Sequence, residues 1–288
     1  MPSFANNSTM SNPIGIFDSG VGGLTVLKAI AHRLPNESLL YFGDTARLPY
    51  GTRSQAEIIQ FVREILSWMQ VRGVKMVVMA CNTSSALALD CVRAEFDMPI
   101  LGVILPAARI AAQRGKRIGV IATPATAASH SYTNAMLENN PCVDVWEMGC
   151  PEFVPIIEAN KIHDPETACI VESRLQQLIE QNIDTLIYGC THYPHLKPVI
   201  DTVIDKFLPR SVHQVDPAIY VSEAADHELE LLGLKNNVPS ITTTVQYCVS
   251  AHPVRFARVA SQWLGYFPDV TCVSLISERL QSRRCSEV

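Results

Sequence analysis

The stretch Val74-Lys75-Met76-Val77-Val78-Met79-Ala80-Cys81-Asn82-Thr83-Ser84-Ser85-Ala86 decides the fold of this chain. Its apolar run stops at Cys81, and polar residues that favour helix starts follow at once. A short apolar run bounded in this way is typical of a buried parallel strand, and Thr83-Ser84-Ser85 is typical of the cap of the next helix. Cys81 is therefore predicted at a strand's carboxyl end and a helix's amino end, where the helix dipole favours a thiolate. Ligands bind at that edge of open α/β sheets.

A second stretch repeats this design. Asp184-Thr185-Leu186-Ile187-Tyr188-Gly189-Cys190-Thr191-His192-Tyr193-Pro194 is an apolar strand that ends in a cysteine and hydrogen-bonding side chains. The segments Ile14–Ser19 and Arg117–Thr123 also resemble each other, and each precedes its cysteine by a similar distance. The sequence therefore predicts two related halves that contribute to one site, although any α/β chain can restart in this way.

Composition bounds the class of protein. The chain has 288 residues, of which 48% are hydrophobic and 18% charged, and its net charge is −5. This length suits one large or two medium domains, and the mild acidity argues against nucleic acid or an anionic membrane as a partner. No run approaches the roughly 18 apolar residues of a membrane span. Residues 1–12 lack the basic start and apolar core of a secretory signal, so we expect a cytoplasmic protein whose nine scattered cysteines are reduced.

Strands alternate with helical patterns along the chain, which indicates α/β architecture with mostly parallel, helix-covered sheets. Ser54 and Glu57 fit a capping box that opens a helix. The remaining predicted strands are 39–44, 99–103 and 242–249. The remaining predicted helices are one over residues 24–34, one that ends near Phe96, Thr126–Leu137, Pro165–Glu180, Leu196–Phe207, one near 219–232 and Pro253–Leu264.

Two facing thiols could invert a carbon centre. One thiolate removes a proton from one face while the opposite thiol delivers a proton to the other, and both need a pKa near the working pH. Asp18 lies in the same half as Cys81, and His192 lies two residues after Cys190, so each could exchange protons with its cysteine. Alternatively, Asp18 is a helix cap or turn residue, and His192 is a ring packed against Tyr193 and Pro194. Dipoles for the developing charge are available from Ser19, Asn82, Thr83, Thr123, Thr126 and Thr191.

Cofactor motifs are weak. Gly20-Val21-Gly22-Gly23 departs from the dinucleotide fingerprint and is more typical of a turn that brings amides close to a small anion. No lysine lies within the cysteine motifs to anchor pyridoxal phosphate. Cys190 and His192 have no companion pair of metal ligands in the sequence. We therefore expect neither a cofactor nor a metal.

Four blocks resemble the signature blocks of the glutamate racemases, which belong to the cofactor-independent aspartate/glutamate racemase family. They are Ile14–Val26, Phe42–Gly51, Ala80–Thr83 and Gly189–Pro194. The blocks occur in order, and the similarity spans about residues 13–232. The resemblance implies interconversion of L- and D-glutamate, which supplies D-glutamate for peptidoglycan, by an enzyme that is a homodimer.

The resemblance also implies roles for individual residues. Cys81 would act on D-glutamate beside Asp18, and Cys190 would act on L-glutamate beside His192. Glu158 would assist the second cysteine, with Glu152 as a nearby competitor. The pairs that would contact substrate are Asp18-Ser19, Tyr50-Gly51, Asn82-Thr83 and Thr191-His192.

The family fold implies two pseudo-symmetric α/β domains that face each other across an active-site cleft. Residues 1–104 plus 216–288 would form the first, and residues 105–215 the second. Three alternatives remain open: an aspartate racemase of the same family, a hydrolase that uses Cys190 and His192, and a non-catalytic regulator that binds a small anion.

Overall fold

Strands and helices alternate along the whole chain. The structure is a computed structural model that describes residues 10–208, 211–238 and 244–275. Predictions for residues 1–9 and for the tail after residue 275 lie outside these ranges. The strands are β1 (Ile14–Asp18), β2 (Leu39–Gly43), β3 (Met76–Met79), β4 (Ile100–Gly102), β5 (Arg117–Ala122), β6 (Asp144–Gly149), β7 (Thr185–Gly189), β8 (His213–Val215), β9 (Val245–Val249) and β10 (Val270–Cys272).

Helices cover the strands. They are α1 (Leu24–Arg33), α2 (Gln55–Val71), α3 (Asn82–Val92), α4 (Ile104–Arg114), α5 (Pro124–Ala128), α6 (Ser131–Asn139), α7 (Phe153–Glu158), α8 (Pro165–Glu180), α9 (Lys197–Phe207), α10 (Pro217–Leu231) and α11 (Pro253–Leu264), with short 3₁₀ turns at Tyr50–Thr52, Arg93–Glu95 and Tyr193–Leu196. None of the helices in the described part of the chain combines the length and the apolar character needed to cross a membrane.

The strands form two sheets in which every pair is parallel. One sheet has the order β10-β9-β2-β1-β3-β4, and the other has the order β6-β5-β7-β8. The order β2-β1-β3-β4 in the first sheet repeats as β6-β5-β7-β8 in the second. This repeat confirms the predicted α/β class with two parallel sheets, and it makes the ends of β1 and β5, and of β3 and β7, equivalent positions. The exact domain limits stay a prediction.

Apolar residues on both sheets meet in a shared core. Ile16 and Val78 of the first sheet belong to the same buried cluster as Val120 and Ile187 of the second. Helix α10 packs against both α1 and α4 in this layer. Two further clusters cover the outer faces of the sheets, one below α2 and α3 and one below α8 and α9. The shared core fixes how the carboxyl edges of the two sheets are oriented.

Local details differ from the sequence-based predictions at several places. Helix α3 begins at Asn82, so Cys81 and not Thr83 is its N-cap. The predicted helix 126–137 is two helices, because His130 adopts a left-handed conformation with φ of 53°. Helix α4 and strand β6 were not predicted. The Ser54–Glu57 capping box, the helix Pro165–Glu180 and the helix Pro253–Leu264 are confirmed.

Candidate active site

Both sheets end on the same site. Asp18 is the last residue of β1, Cys81 follows β3 after one residue, Thr123 directly follows β5, and Cys190 directly follows β7. Contacts cross between the two halves at this edge, because Thr191 Oγ1 donates to Asp18 Oδ2 at 3.3 Å. The charge of Cys190 also contributes to the pKa of Cys81, which means that the two sulfurs lie within electrostatic reach of each other.

Cys81 is buried at the start of α3, with 5% of its surface exposed. Burial first, and then the negative charge of Asp18, raise the pKa of the Cys81 thiol to about 12. The sequence-based expectation of a thiolate at this position is therefore wrong for this structure. The helix dipole acts over a single turn and favours the anion only modestly, whereas desolvation and a neighbouring carboxylate both oppose it.

Cys190 starts a chain of three acid–base groups. Its Sγ lies 3.8 Å from His192 Nδ1, and His192 Nε2 lies 3.3 Å from Glu158 Oε1. Burial alone lowers the pKa of His192, but hydrogen bonds to Cys190 and Glu158, together with the negative charges of Cys190 and Asp18, raise it to about 10. The hydrogen bond to His192 in turn lowers the pKa of Glu158. The imidazole is therefore protonated at neutral pH.

Glu158 rather than Glu152 reaches this chain. The side chain of Glu152 forms a forked pair with Arg174 on α8, in which Arg174 Nε donates to Glu152 Oε2 at 3.0 Å. Glu158 stands at the last residue of α7, and its side chain is 29% exposed. It also lines a small cavity of about 50 Å³ with Gly20, Leu48 and Arg255.

Asp18 is the corresponding group on the Cys81 side. Its carboxylate is buried and accepts hydrogen bonds from Gly20 N at 2.9 Å and from Thr191 Oγ1. Burial raises the pKa of Asp18, and the positive charge of His192 and the hydrogen bonds offset this only in part. Ser19 follows directly and is partly buried. A carboxyl with a raised pKa beside a thiol can accept a proton more readily than an ordinary aspartate.

Three threonine hydroxyls form a triangle across the two halves. Thr83 Oγ1 lies 3.0 Å from Thr123 Oγ1 and 3.1 Å from Thr126 Oγ1, and the last two lie 2.9 Å apart. Gly51 adjoins this triangle, since a Cβ on Gly51 would lie 3.2 Å from Thr123 Cβ. The loop that carries Gly51 thus brings its backbone against the second half.

Two predicted substrate contacts are occupied within the protein. The hydroxyl of Tyr50 donates to Asp44 Oδ2 at 2.5 Å, and Asn82 Oδ1 accepts from the Tyr132 hydroxyl at 2.6 Å. The Tyr50 hydroxyl is therefore already paired, whereas the Asn82 side chain keeps its amide N–H groups. The space beside Asn82, Cys190 and Thr191 is too narrow to hold a water molecule.

Several residues that shape the site were not singled out from the sequence. Asp44 accepts from Arg47 Nε at 2.6 Å and Ser250 Oγ at 2.8 Å as well as from Tyr50, so it holds the loop that leads to Gly51. Thr25 Oγ1 donates to the Thr191 carbonyl at 3.2 Å. Asp44 and Thr25 lie within the blocks of resemblance, but no local pattern indicated their partners.

The glycine turn contacts the second half of the site directly. A Cβ added to Gly22 would lie 2.5 Å from His192 Nδ1, closer than any real contact. The absence of a side chain at Gly22 is therefore what lets the turn approach His192. The sequence-based prediction that this turn faces a ligand through its amides stays a prediction.

Fold and site together place the chain in the class of two-domain α/β racemases. The family model described as Asp/Glu/Hydantoin racemase matches residues 15–221. The chain belongs to this family.

Relatives and solved structures agree with this membership. A glutamate racemase of Gloeothece citriformis is 60% identical over 264 residues, which are 92% of this chain and 93% of that protein. The crystal structure of glutamate racemase from Francisella tularensis in complex with D-glutamate is 34% identical, covers 93% of this chain and 99% of that chain, and has a TM-score of 0.86. The Thermus thermophilus enzyme in complex with beta-chloro-D-alanine is 38% identical, with coverages of 92% and 98% and a TM-score of 0.82.

Proposed function

We propose that this chain is a glutamate racemase, an isomerase that interconverts L- and D-glutamate with two cysteines and no cofactor. The observation that carries the proposal is the placement of Cys81 and Cys190 at equivalent strand ends of two repeated sheets, each beside its own acid–base group. The high identity to proteins named glutamate racemase supports glutamate over aspartate as the substrate. No observation favours the hydrolase or the regulator.

The protonation states suit the conversion of L-glutamate. The Sγ atom of Cys190 lies 3.8 Å from Nδ1 of the protonated His192 imidazole, and Cys190 acts as the base that removes the α-proton. The Cys81 thiol, which its pKa of about 12 keeps protonated, donates its proton to the opposite face of the same carbon. The product is D-glutamate, with Cys190 now a thiol and Cys81 a thiolate. The proton balance is restored when Asp18 and His192 exchange protons with their cysteines and solvent.

The reverse conversion uses the same groups in opposite roles. Asp18, whose pKa burial raises, accepts the proton of Cys81. The Cys81 thiolate then removes the α-proton of D-glutamate, and Cys190 donates to the other face with His192 as its proton source. Glu158 stabilises the imidazolium throughout, because its carboxylate faces Nε2. A thiol pKa far above neutrality makes removal of the Cys81 proton the costly part of this direction.

Hydroxyl and amide groups at the strand ends bind the substrate and the developing negative charge. Fixed dipoles in a water-poor site stabilise such charge without reorganising. The groups that we assign to substrate binding are Asp18, Ser19, Tyr50, Gly51, Asn82, Thr83, Thr123, Thr126, Thr191 and His192.

The wider context follows from the same assignment. We propose that the product D-glutamate serves peptidoglycan synthesis, that the enzyme works in the cytoplasm, and that it is a homodimer. The strands of the first sheet come from residues 14–102 and 245–272, and those of the second from residues 117–215, which supports domains of 1–104 plus 216–288 and of 105–215.

Proton exchange tests the function. Incubation with either glutamate enantiomer in D₂O should introduce deuterium at the α-carbon, and Cys81→Ser and Cys190→Ser should each abolish full racemisation. A wild-type protein that binds glutamate but exchanges no α-proton would be a regulator. Faster turnover of aspartate than of glutamate at equal concentration would assign the sister activity, and an acylated Cys190 with a dispensable Cys81 would indicate a hydrolase.

A further inference from the structure

Trp263 of α11 joins the two halves of the chain beside the site. Helix α11 accompanies β9 and β10 of the first sheet, yet Trp263 packs against both the shared core and the outer core of the second sheet. Its backbone carbonyl accepts a hydrogen bond from Lys28 Nζ of α1 at 3.0 Å, which anchors it to the first half. The indole therefore reaches from one half onto residues of the other.

The indole ring of Trp263 lies against the imidazole rings of His192 and His195. The His192 ring lies 5.6 Å from the indole, centroid to centroid, in an edge-to-face arrangement at 86°. The His195 ring stacks on it at 4.2 Å with a tilt of 31°. Edge-to-face and offset-stacked geometries are those that aromatic rings prefer. Trp263 thus fills the gap between the two imidazoles.

The His192 ring must be held in one orientation. Its Nδ1 must face Cys190 and its Nε2 must face Glu158 for the proton chain to be continuous. Neither bond is short, and rotation of the ring about its Cβ–Cγ bond would break both. Gly22 lies against the Nδ1 side of the His192 ring. Trp263 supplies a further packing contact, which restrains rotation of the ring.

The charges around His192 are compatible with this role. The titratable groups that face it are Cys190, Asp18, Glu158 and His195. Burial first, and then the positive charges of His192 and Lys28, lower the pKa of His195 to about 4. His195 is therefore neutral at working pH, and it can stack on Trp263 without placing a second positive charge beside the His192 imidazolium.

We propose that Trp263 is a positioning residue, which holds the His192 imidazole in line with Cys190 and so sets the rate of proton transfer on the Cys190 face. The inference rests on the proposed racemase function and assigns a residue outside the sequence blocks of that site. If so, proton transfer by Cys190 depends on the docking of α11, whereas proton transfer by Cys81 does not.

Isotope effects distinguish this role from a general structural one. The two enantiomers have equal free energy, so a variant must lose kcat/KM by the same factor in both directions. Slower transfer at Cys190 raises the primary isotope effect with α-deuterated L-glutamate, whose proton Cys190 removes. It lowers the effect with α-deuterated D-glutamate, whose proton Cys81 removes, because that step ceases to limit the rate.

The variants are Trp263→Phe and Trp263→Leu, with Trp146→Phe on the edge strand β6 as the matched control. We expect kcat/KM to fall about tenfold in the Leu variant and only about threefold in the Phe variant, which keeps an aromatic ring. The alkaline limb of the kcat profile should also move to lower pH, because a ring released from its partners returns towards its ordinary pKa.

The outcomes are separable. The opposed isotope effects, with partial rescue by Phe and none of these changes in Trp146→Phe, would support the proposal. Isotope effects that stay as in the wild type, or that change equally for both enantiomers, would overturn it, whether or not the variants are less stable. Absence of α-proton exchange in the wild-type protein would instead refute the racemase function itself.

Discussion

Replacement of Glu158 by glutamine removes one negative charge from the Cys190–His192–Glu158 chain and keeps its shape. The amide oxygen can still face His192 Nε2, which lies 3.3 Å from Glu158 Oε1. Both side chains are largely buried, with exposures of 6% for His192 and 29% for Glu158. A hydrogen bond to a charged partner contributes about 1.5–3 kcal/mol. The neutral amide keeps about half of this contribution. Because one pKa unit corresponds to about 1.4 kcal/mol, the pKa of His192 should fall by about 1 unit.

The direction of the activity change follows from the charge that His192 must carry. The imidazolium is present below its raised pKa of about 10 and is lost as the pH rises through that value. In Glu158→Gln the alkaline limb of kcat should therefore move down by about 1 pH unit. The assay is the initial rate of loss of optical activity, followed by circular dichroism from about pH 6 to about pH 10.

Glu152→Gln is the matched control, since Glu152 lies at the other end of α7 and pairs with Arg174. It should leave the pH profile as in the wild type. The reasoning would be refuted if Glu158→Gln kept the wild-type alkaline limb, or if both variants moved it equally. Either result would mean that Glu158 does not control the charge of His192.

Three further predictions follow from the contacts around the site. Gly22→Ala places a methyl group against Thr191 and should lower the free energy of unfolding by about 1–3 kcal/mol in urea titrations; a change below about 0.5 kcal/mol would show that the turn can yield. Asp44→Asn weakens the bonds that hold Tyr50, so we expect a loss of about 2 kcal/mol and a raised KM for glutamate, and an unchanged KM would contradict the role given to this loop. Cys81 should react slowly with iodoacetamide near neutral pH and faster as the pH approaches about 12, as measured by peptide mass spectrometry, whereas rapid alkylation near neutrality would show that it is a thiolate.

The strand ends that carry the chemistry were predictable, because they combine a buried run with an abrupt change to polar residues. Strands buried on both faces, such as β3 and β7, give continuous apolar runs that are easily recognised. The edge strand β6 is half-exposed and mixes Asp144 and Glu147 with apolar residues, so it offers no such run. Helix α4 follows β4 after one residue and has no capping side chain, so its start gives no signal.

The properties that the sequence could not supply arise from contacts between distant segments. The start of α3 suggested a thiolate at Cys81, but the carboxylate that opposes it belongs to β1 and comes close only in the folded chain. The position of Trp263 beside His192 likewise depends on how α11 crosses the second half. Local patterns predict helix ends and strand ends, whereas the balance of burial and charge at a side chain is a property of the assembled fold.

The hydroxyl triangle of Thr83, Thr123 and Thr126 has a consequence for how the site follows a reaction. Each hydroxyl can donate one hydrogen bond and accept another, so the three hydrogen bonds of the ring can all run in one direction or all in the other. While all three hydrogens lie within the ring, each oxygen can only accept a hydrogen bond from the bound molecule, but rotation about one C–O bond, on a picosecond-to-nanosecond timescale, breaks one ring bond and frees that hydroxyl to donate. This wall can therefore accept or donate a hydrogen bond as the electron distribution on the bound molecule changes, while every carbon, nitrogen and oxygen atom of the protein stays where it is.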